Sequence, residues 1–385
     1  MEGPIAEILS PLLRGLRQVR SSQIKHFQRY MTGLIQPCEK NKKSVTALSE
    51  EALNPCCQSS LNRFLNSNRI LVQRINNSRI AKLGRSKSSR FLAIDDTILE
   101  HPYGPKIQGT GKYWDASKKR WIHGHNIVTS MAVSTTEAEP IDIHVYIKEE
   151  DAERNNTVFR TKIEIACEII RWRAEILNVI GVLFDSWYCC EDVLKICDEL
   201  ELHWHSELRA NRLVFLPGIS DKFHVSELAR ALPLDEFKKV DLPDSWQKYK
   251  YMAERNVIIR GKKTKARTIK LAILWDGKDN LESYKFLATN NLSATGVEVL
   301  EIHRLRWKIE EFHRDAKQNL GMADCMLRKY DGVVIHLLLV LLAYSALKRL
   351  LASTLKGIVN TIGDCGRYLK RQFLEKRYSN QTAIT

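Results

Sequence analysis

The sequence predicts an α/β protein in which a core of alternating strands and helices carries a mostly β insertion, preceded by an α-helical N-terminal region and followed by C-terminal helices. Three observations predict it. Short apolar runs that end in acids, "FLAIDDT" (91–97) and "VLFDSWY" (182–188), alternate with longer segments of helical period. Residues 213–300 hold mainly short β-prone runs. Residues 1–85, and the chain from 301 to near its end, show no strong β segment.

Taken in order, residues 1–85 read as helices broken at "QPCEKNKKS" and "LNPCCQSS". Arg63, Arg69, Arg74 and Arg79 recur at spacings that suit either a DNA-contacting helix or the basic exterior of a packing domain. Residues 86–212 form the first part of the core: the strand into Asp95 and Asp96, two β-rich runs in "KRWIHGHNIVTSMAVSTTEAEPIDIHVYI", a helix over about 157–178, and a strand into Asp185. The 213–300 insertion carries the cluster "RGKKTKARTIK", whose Arg260, Lys262, Lys263, Lys265, Arg267 and Lys270 are expected to contact phosphate rather than bases. Residues 301–350 complete the core, and 351–385 form a helical tail. The apolar stretch 332–347 is 16 residues long with His336 and Tyr344 inside it, short for a membrane span and better read as a buried helix.

At 385 residues the chain is long enough for two or three modules. Its formal net charge of +15 implies an acidic partner, most simply nucleic acid. No lipidation signal or polybasic anchor beside an apolar span points to a membrane. Nine cysteines without a CxxC pattern argue for reduced thiols, against a disulfide framework and against a zinc site. "HGH" (123–125) and "HWH" (203–205) align two histidines on one strand face, but no Cys/His set completes four ligands. The first twenty residues lack a basic segment followed by an apolar one, so a cytoplasmic, nucleoid-associated protein is expected. With no P-loop and no Rossmann fingerprint, nucleotide-driven chemistry is unsupported.

The stretch "HRLRWKIEEFHRDAKQNLG" (303–321) reads as a single helix. Wound at about 100° per residue, it brings His303, Arg306 and Lys317 within roughly 40° of Glu310. Leu305, Ile309, Phe312, Ala316 and Leu320 make the core stripe, and Glu311 points about 100° away from Glu310. A solvated, salt-bridged face explains such a stripe in an arbitrary helix. It does not explain a carboxylate beside the core with cations one and two turns away. Together with the strand-end acids, that carboxylate suits two oxygen-ligated Mg²⁺ ions, with Mn²⁺ able to substitute. One ion would activate an attacking oxygen and the other would stabilise a leaving 3′ oxygen. Each acid alone is also explained as a turn or helix cap.

His303, Arg306, Glu310 and Lys317 in this stretch resemble the Y-x2-R-x3-E-x6-K signature of DDE transposases of the bacterial and archaeal insertion-sequence 4 superfamily, transposon 5-like enzymes, with His303 in place of the tyrosine. "FLAIDDT" resembles the strand of the first catalytic Asp, "VLFDSWY" that of the second, and "SELRANR", with Arg209, the basic strand that follows. The resemblance runs from about 90 to 350 and implies a ribonuclease H-like catalytic core. It implies catalytic acids at Asp95 or Asp96, Asp185 and Glu310. Of these, Asp95, Asp185 and Glu310 would be the metal ligands, since matching a D-x-T pattern favours Asp95. DNA contacts are expected at His303, Arg306, Lys317, Arg209, Lys262, Lys263 and Lys265. Trp246 and Trp275 become candidates for holding a flipped base, although a Trp packed at a strand end also explains Trp275. The implied function is a DNA transposase, a homodimer in its synaptic complex, that binds its element's terminal inverted repeats and joins their 3′-OH ends to target DNA. A ribonuclease H-like nuclease or resolvase, or a domesticated DNA-binding protein, are the alternatives.

Overall fold

Strand β1 (Arg90–Glu100) alternates cleanly because both faces of the sheet are covered: Leu92 and Ile94 enter one core, Ala93 and Leu99 the other. The computed structural model describes residues 4–14, 19–38, 42–51, 56–86, 88–104, 106–153, 157–242, 246–260, 265–278 and 283–382. Ahead of β1 lie helices α1 (Pro4–Leu13), α2 (Ser21–Ile35), α3 (Val45–Glu51), α4 (Gln58–Ser67) and α5 (Arg69–Gly84). After it come β2 (Gly111–Asp115), β3 (Arg120–Val133), β4 (Ala138–Tyr146), α6 (Glu149–Ala152), α7 (Lys162–Leu177), β5 (Val179–Phe184), α8 (Glu191–Glu199) and β6 (His203–Glu207).

β3 pairs antiparallel with both β1 and β4, whereas β5 lies parallel to β1 and to β6. The parallel β1–β5 register matches Leu92 to Val182 and Ala93 to Leu183. Continued by two residues, it sets Asp95 beside Asp185, just past the end of β5. α7 starts at Lys162 because Thr161 and Glu164 form a reciprocal capping box, so residues 157–161 of the expected helix lie outside it.

The 213–300 segment contributes β7 (Leu213–Phe215), β8 (Lys222–His224), α9 (Val225–Ala231), β9 (Lys238–Lys239), β10 (Tyr251–Ile259), β11 (Arg267–Trp275) and β12 (Tyr284–Thr289). These strands extend the core sheet itself: β12 pairs with β6, matching Leu287 to Glu207 and Thr289 to His205, and the sheet reaches twelve strands.

The chain closes with α10 (Gly296–Arg304), α11 (Trp307–Asn319), α12 (Tyr330–Ala352) and α13 (Ile362–Thr382). The expected single helix over 303–321 is therefore two. Leu305 and Arg306 donate to Ile302 and His303 carbonyls, tight three-residue turns that break the 3.6-residue winding and move His303 off the Glu310 face. α11 stops where Gly321 takes φ 67°; a side chain there would also press on Lys43 Cβ at 2.5 Å. α12 is long and apolar enough to cross a membrane, but 83% of its most apolar window is buried inside the fold, against β4, α2, α4, α5 and α13. It is the core helix of the face that carries α11.

Arg79 is buried, donating to Glu139, Asn76, Ser345 and the Pro140 carbonyl, so it cannot be a DNA contact. This is a correction to the reading of four surface arginines. Arg63 and Arg74 are exposed, and Arg69 pairs with Asp331 at 2.7 Å.

Candidate active site

The middle of one strand, the end of another and one helix build the site: β1 does not end at its two acids but runs on past Asp95 to Glu100, whereas Asp185 follows the last residue of β5. Asp95 leaves β1 on the face of Ala93, towards α11, where Arg306 Nη1 lies 3.4 Å from its Oδ2. The same guanidinium donates to Glu310 Oε1 at 2.5 Å. Arg306 thus bridges Asp95 and Glu310, and all three side chains are at least two-thirds buried. Asp185 is held from its own backbone side, its Oδ1 accepting from the N–H groups of Trp187 (3.0 Å) and Tyr188 (3.2 Å). Ser206 of β6 donates to the Asp185 carbonyl at 3.1 Å and fixes the turn.

Asp96 faces the other way. Its Oδ2 accepts from Lys162 Nζ of α7 at 2.9 Å and its Oδ1 from the Tyr188 hydroxyl at 3.1 Å. The two neighbouring aspartates are therefore distinct: one meets the Glu310 helix, the other is anchored to α7 and the Asp185 loop.

Electrostatics follow the crowding. Burial pushes the Asp95 carboxyl up to about 7, Arg306 opposes the rise, and Asp185 and Asp96 add to it. Asp185 is raised by burial, against the pull of its two backbone donors and Arg306. Clustered carboxylates of this kind gain from a cation among them, and hard oxygen donors from separate elements are what a divalent ion takes. Asp95, Asp185 and Glu310 fit such an ion chemically. In the structure the positive charge there is the Arg306 guanidinium, and among the described residues no three His, Cys, Asp or Glu side chains already converge as metal ligands.

The expected DNA contacts are spread more widely. Lys317 sits about two turns beyond Glu310 on α11, its Nζ donating to Thr97 of β1 at 2.6 Å, and burial lowers its pKa. His303 is only 4% exposed, at the end of α10, edge-on to Trp246 with ring centroids 6.2 Å apart. Burial holds its pKa well below the ordinary value, so the ring is neutral. Arg209 and Lys265 are exposed, while Lys262 and Lys263 lie outside the described residues. Of the same basic cluster, Arg267 is taken up by Glu191 and Asp198, and Lys270 lies 3.7 Å from Glu254. Trp246 and half-exposed Trp307 line an 850 Å³ hollow beside α11 together with Lys248, Lys285, Arg304 and Lys308. Trp275 instead stacks on Tyr284 at 6.0 Å and packs against Phe237 and Tyr251.

Sequence reading missed Lys162, Tyr188 and His313, whose buried ring meets Thr129 at 2.7 Å. It also missed the exposed pair Trp114 and Trp121, directly opposite on the β2–β3 hairpin. A signal for the pair was present, since aromatic residues flank the turn "DASKKR". Lys162 and Tyr188 reach Asp96 across 66 and 92 residues, and no local pattern announces that.

A mixed sheet that sets Asp95 within β1 beside Asp185 at the end of β5, with a glutamate helix linked to Asp95 through one arginine, defines an α/β protein with a buried carboxylate site. The model of the transposase DDE domain family matches residues 86–346, from β1 into α12, and the chain belongs to that family. No curated protein matches it. Membership makes it a transposase, an enzyme that cleaves and transfers strands of DNA, in a family that generally uses divalent metal ions.

Proposed function

We propose that this chain is a cut-and-paste transposase of the insertion-sequence 4 superfamily. It binds the terminal inverted repeats of its own element, cleaves them and joins the 3′-OH ends to target DNA, acting in the cytoplasm as a homodimer across the paired ends. Its catalytic unit is a ribonuclease H-like core extended by the 213–300 strands, with residues 1–85 as a further DNA-contacting region. Asp95, Asp185 and Glu310 would hold two Mg²⁺ ions, whose chemistry when bound is to activate the attacking oxygen and stabilise the leaving one. Arg306 and Lys317 orient DNA phosphates on the same face of α11, Lys162 and Tyr188 keep Asp96 and the Asp185 loop in place, and Trp246 and Trp307 offer stacking surfaces to an unpaired base.

The observation that carries this reading is the single guanidinium joining Asp95 to Glu310 beside Asp185. The test uses linear DNA carrying the repeats that flank the gene. Nicking at the repeat boundary that requires Mg²⁺, followed by a joined product with target DNA, is expected. Cleavage without any joined product would replace the transposase reading with a nuclease or resolvase.

A further inference from the structure

About one turn beyond Glu310 on α11, His313 is buried and its Nε2 lies 2.7 Å from Thr129 Oγ1 on β3. Thr129 is fully buried and stands directly opposite Asp95 in the β1–β3 register, so the two side chains share the face that α11 covers. Its hydroxyl donates to the Asp95 carbonyl at 3.2 Å. A hydroxyl has one proton to give, so the ring nitrogen supplies the other, and the chain runs from the His313 N–H through the Thr129 O–H to the Asp95 carbonyl. Burial lowers the His313 pKa to about 3, which keeps the ring neutral. Two charged links also tie α11 to β1, Arg306 to Asp95 and Lys317 to Thr97. Under the proposed function both cations turn to DNA phosphates, so neither stays free to hold the helix once DNA is bound. The His313–Thr129 link carries no charge to exchange.

We propose that His313 is a positioning residue for the cleavage reaction: through Thr129 it fixes the backbone of Asp95 relative to Glu310, and with it the distance between these two carboxylates. The inference rests on the reading of Asp95 and Glu310 as metal ligands and adds to it what sets their spacing. One end of the link is the helical turn that carries Glu310, and the other is the carbonyl of Asp95 itself, so any slip of α11 over the sheet changes the carboxylate gap directly. Mg²⁺ demands near-ideal octahedral geometry, which makes a site for it sensitive to such a slip. Groups that orient ligands from behind matter nearly as much to a metal site as the ligands do.

The test uses the full-length protein and two readouts: Mn²⁺ binding without DNA, with the free ion counted by electron paramagnetic resonance, and Mg²⁺-dependent nicking of the element's end. Thr129→Val keeps the side-chain shape and removes the hydroxyl. It should lower both Mn²⁺ affinity and the nicking rate constant by roughly tenfold or more, the usual cost of losing a partner behind a metal ligand, while affinity for the DNA end stays unchanged. Thr129→Ser and His313→Gln, which keep a hydroxyl and an N–H, should retain most of both. Thr129→Val alone strands the ring N–H, and adding His313→Leu removes that orphan. The double variant should therefore recover melting temperature without recovering Mn²⁺ binding or nicking. If binding and nicking return together with the melting temperature, or never fall in Thr129→Val, the link serves packing only and the proposal is overturned. Wild type that takes up no Mn²⁺, or Asp95→Asn that takes up as much as wild type, would overturn the metal reading of Asp95 and Glu310 instead, which separates the two failures.

Discussion

Asp95 and Asp96 are chemically identical neighbours, and the sequence alone left open which one would meet a metal. Strand alternation required them to face opposite ways, but only the packed structure says which face carries α11. Asp95 reaches Arg306, while Asp96 is occupied by Lys162 and Tyr188. Asp95→Asn should therefore abolish Mg²⁺-dependent nicking, a loss of several orders of magnitude. Asp96→Asn should slow it far less, through a loosened Asp185 loop. Equal and complete loss in both, with folding intact, would show that the two faces act as one site. Glu310 and Glu311 give the matching comparison on α11, about 100° apart around the axis. Glu310→Gln should collapse cleavage while end binding persists, whereas Glu311→Gln, which lines the hollow with Trp246 and Trp307, should stay within a few-fold of wild type. A dead Glu311→Gln beside an active Glu310→Gln would mean that the helical register is misassigned. Lys162 and Tyr188 were invisible in the sequence for a physical reason: their partner lies far along the chain, and only tertiary packing makes the contact.

At the scale of elements, local chemistry was legible where it is self-contained. The mixed strand-and-helix class and the helices at both ends follow from periodicity, and the α7 start is written in Thr161 and Glu164. The expected start near 157 came from reading apolar period without the cap. Thr161→Ala should lower stability by about 1 kcal/mol, the usual worth of an N-cap hydroxyl, read as a lower urea midpoint. Because Lys162 is the first residue of that helix, the same change should also slow nicking slightly. An unaltered midpoint would mean that tertiary packing alone holds the α7 end. The break at Leu305 and Arg306 was not legible, since no glycine or proline marks it. Burial of His303 against Trp246 decides it, an interaction between the last part of the core and the insertion.

Across the whole molecule, the sheet that runs from β4 to the insertion buries five histidines as neutral rings or packs them against its layers. Burial lowers His125, His205 and His313 to about 3, and His101 and His336 to about 4, from an ordinary 6.5. Below pH 6.5 the unfolded chain takes up protons at these positions and the native chain does not. Stability should therefore be complete above pH 6.5 and fall as pH drops towards 4, by up to about 1.4 kcal/mol per pH unit for each ring. Asp95, raised to about 7, works the other way across much of the same range, because the native state holds its proton while the unfolded state releases it. Asp185 is shifted in the same direction as Asp95. Five rings against two carboxyls leave the histidines dominant. The urea midpoint of metal-free protein should decline from pH 6.5 to 4.5, and divalent ions, by favouring the charged carboxylates, should steepen that decline. A midpoint that is flat or rises on acidification would mean that the buried histidines gain protons inside the fold, and the layers around β3, β6 and α12 would then have to be far more open than their packing indicates.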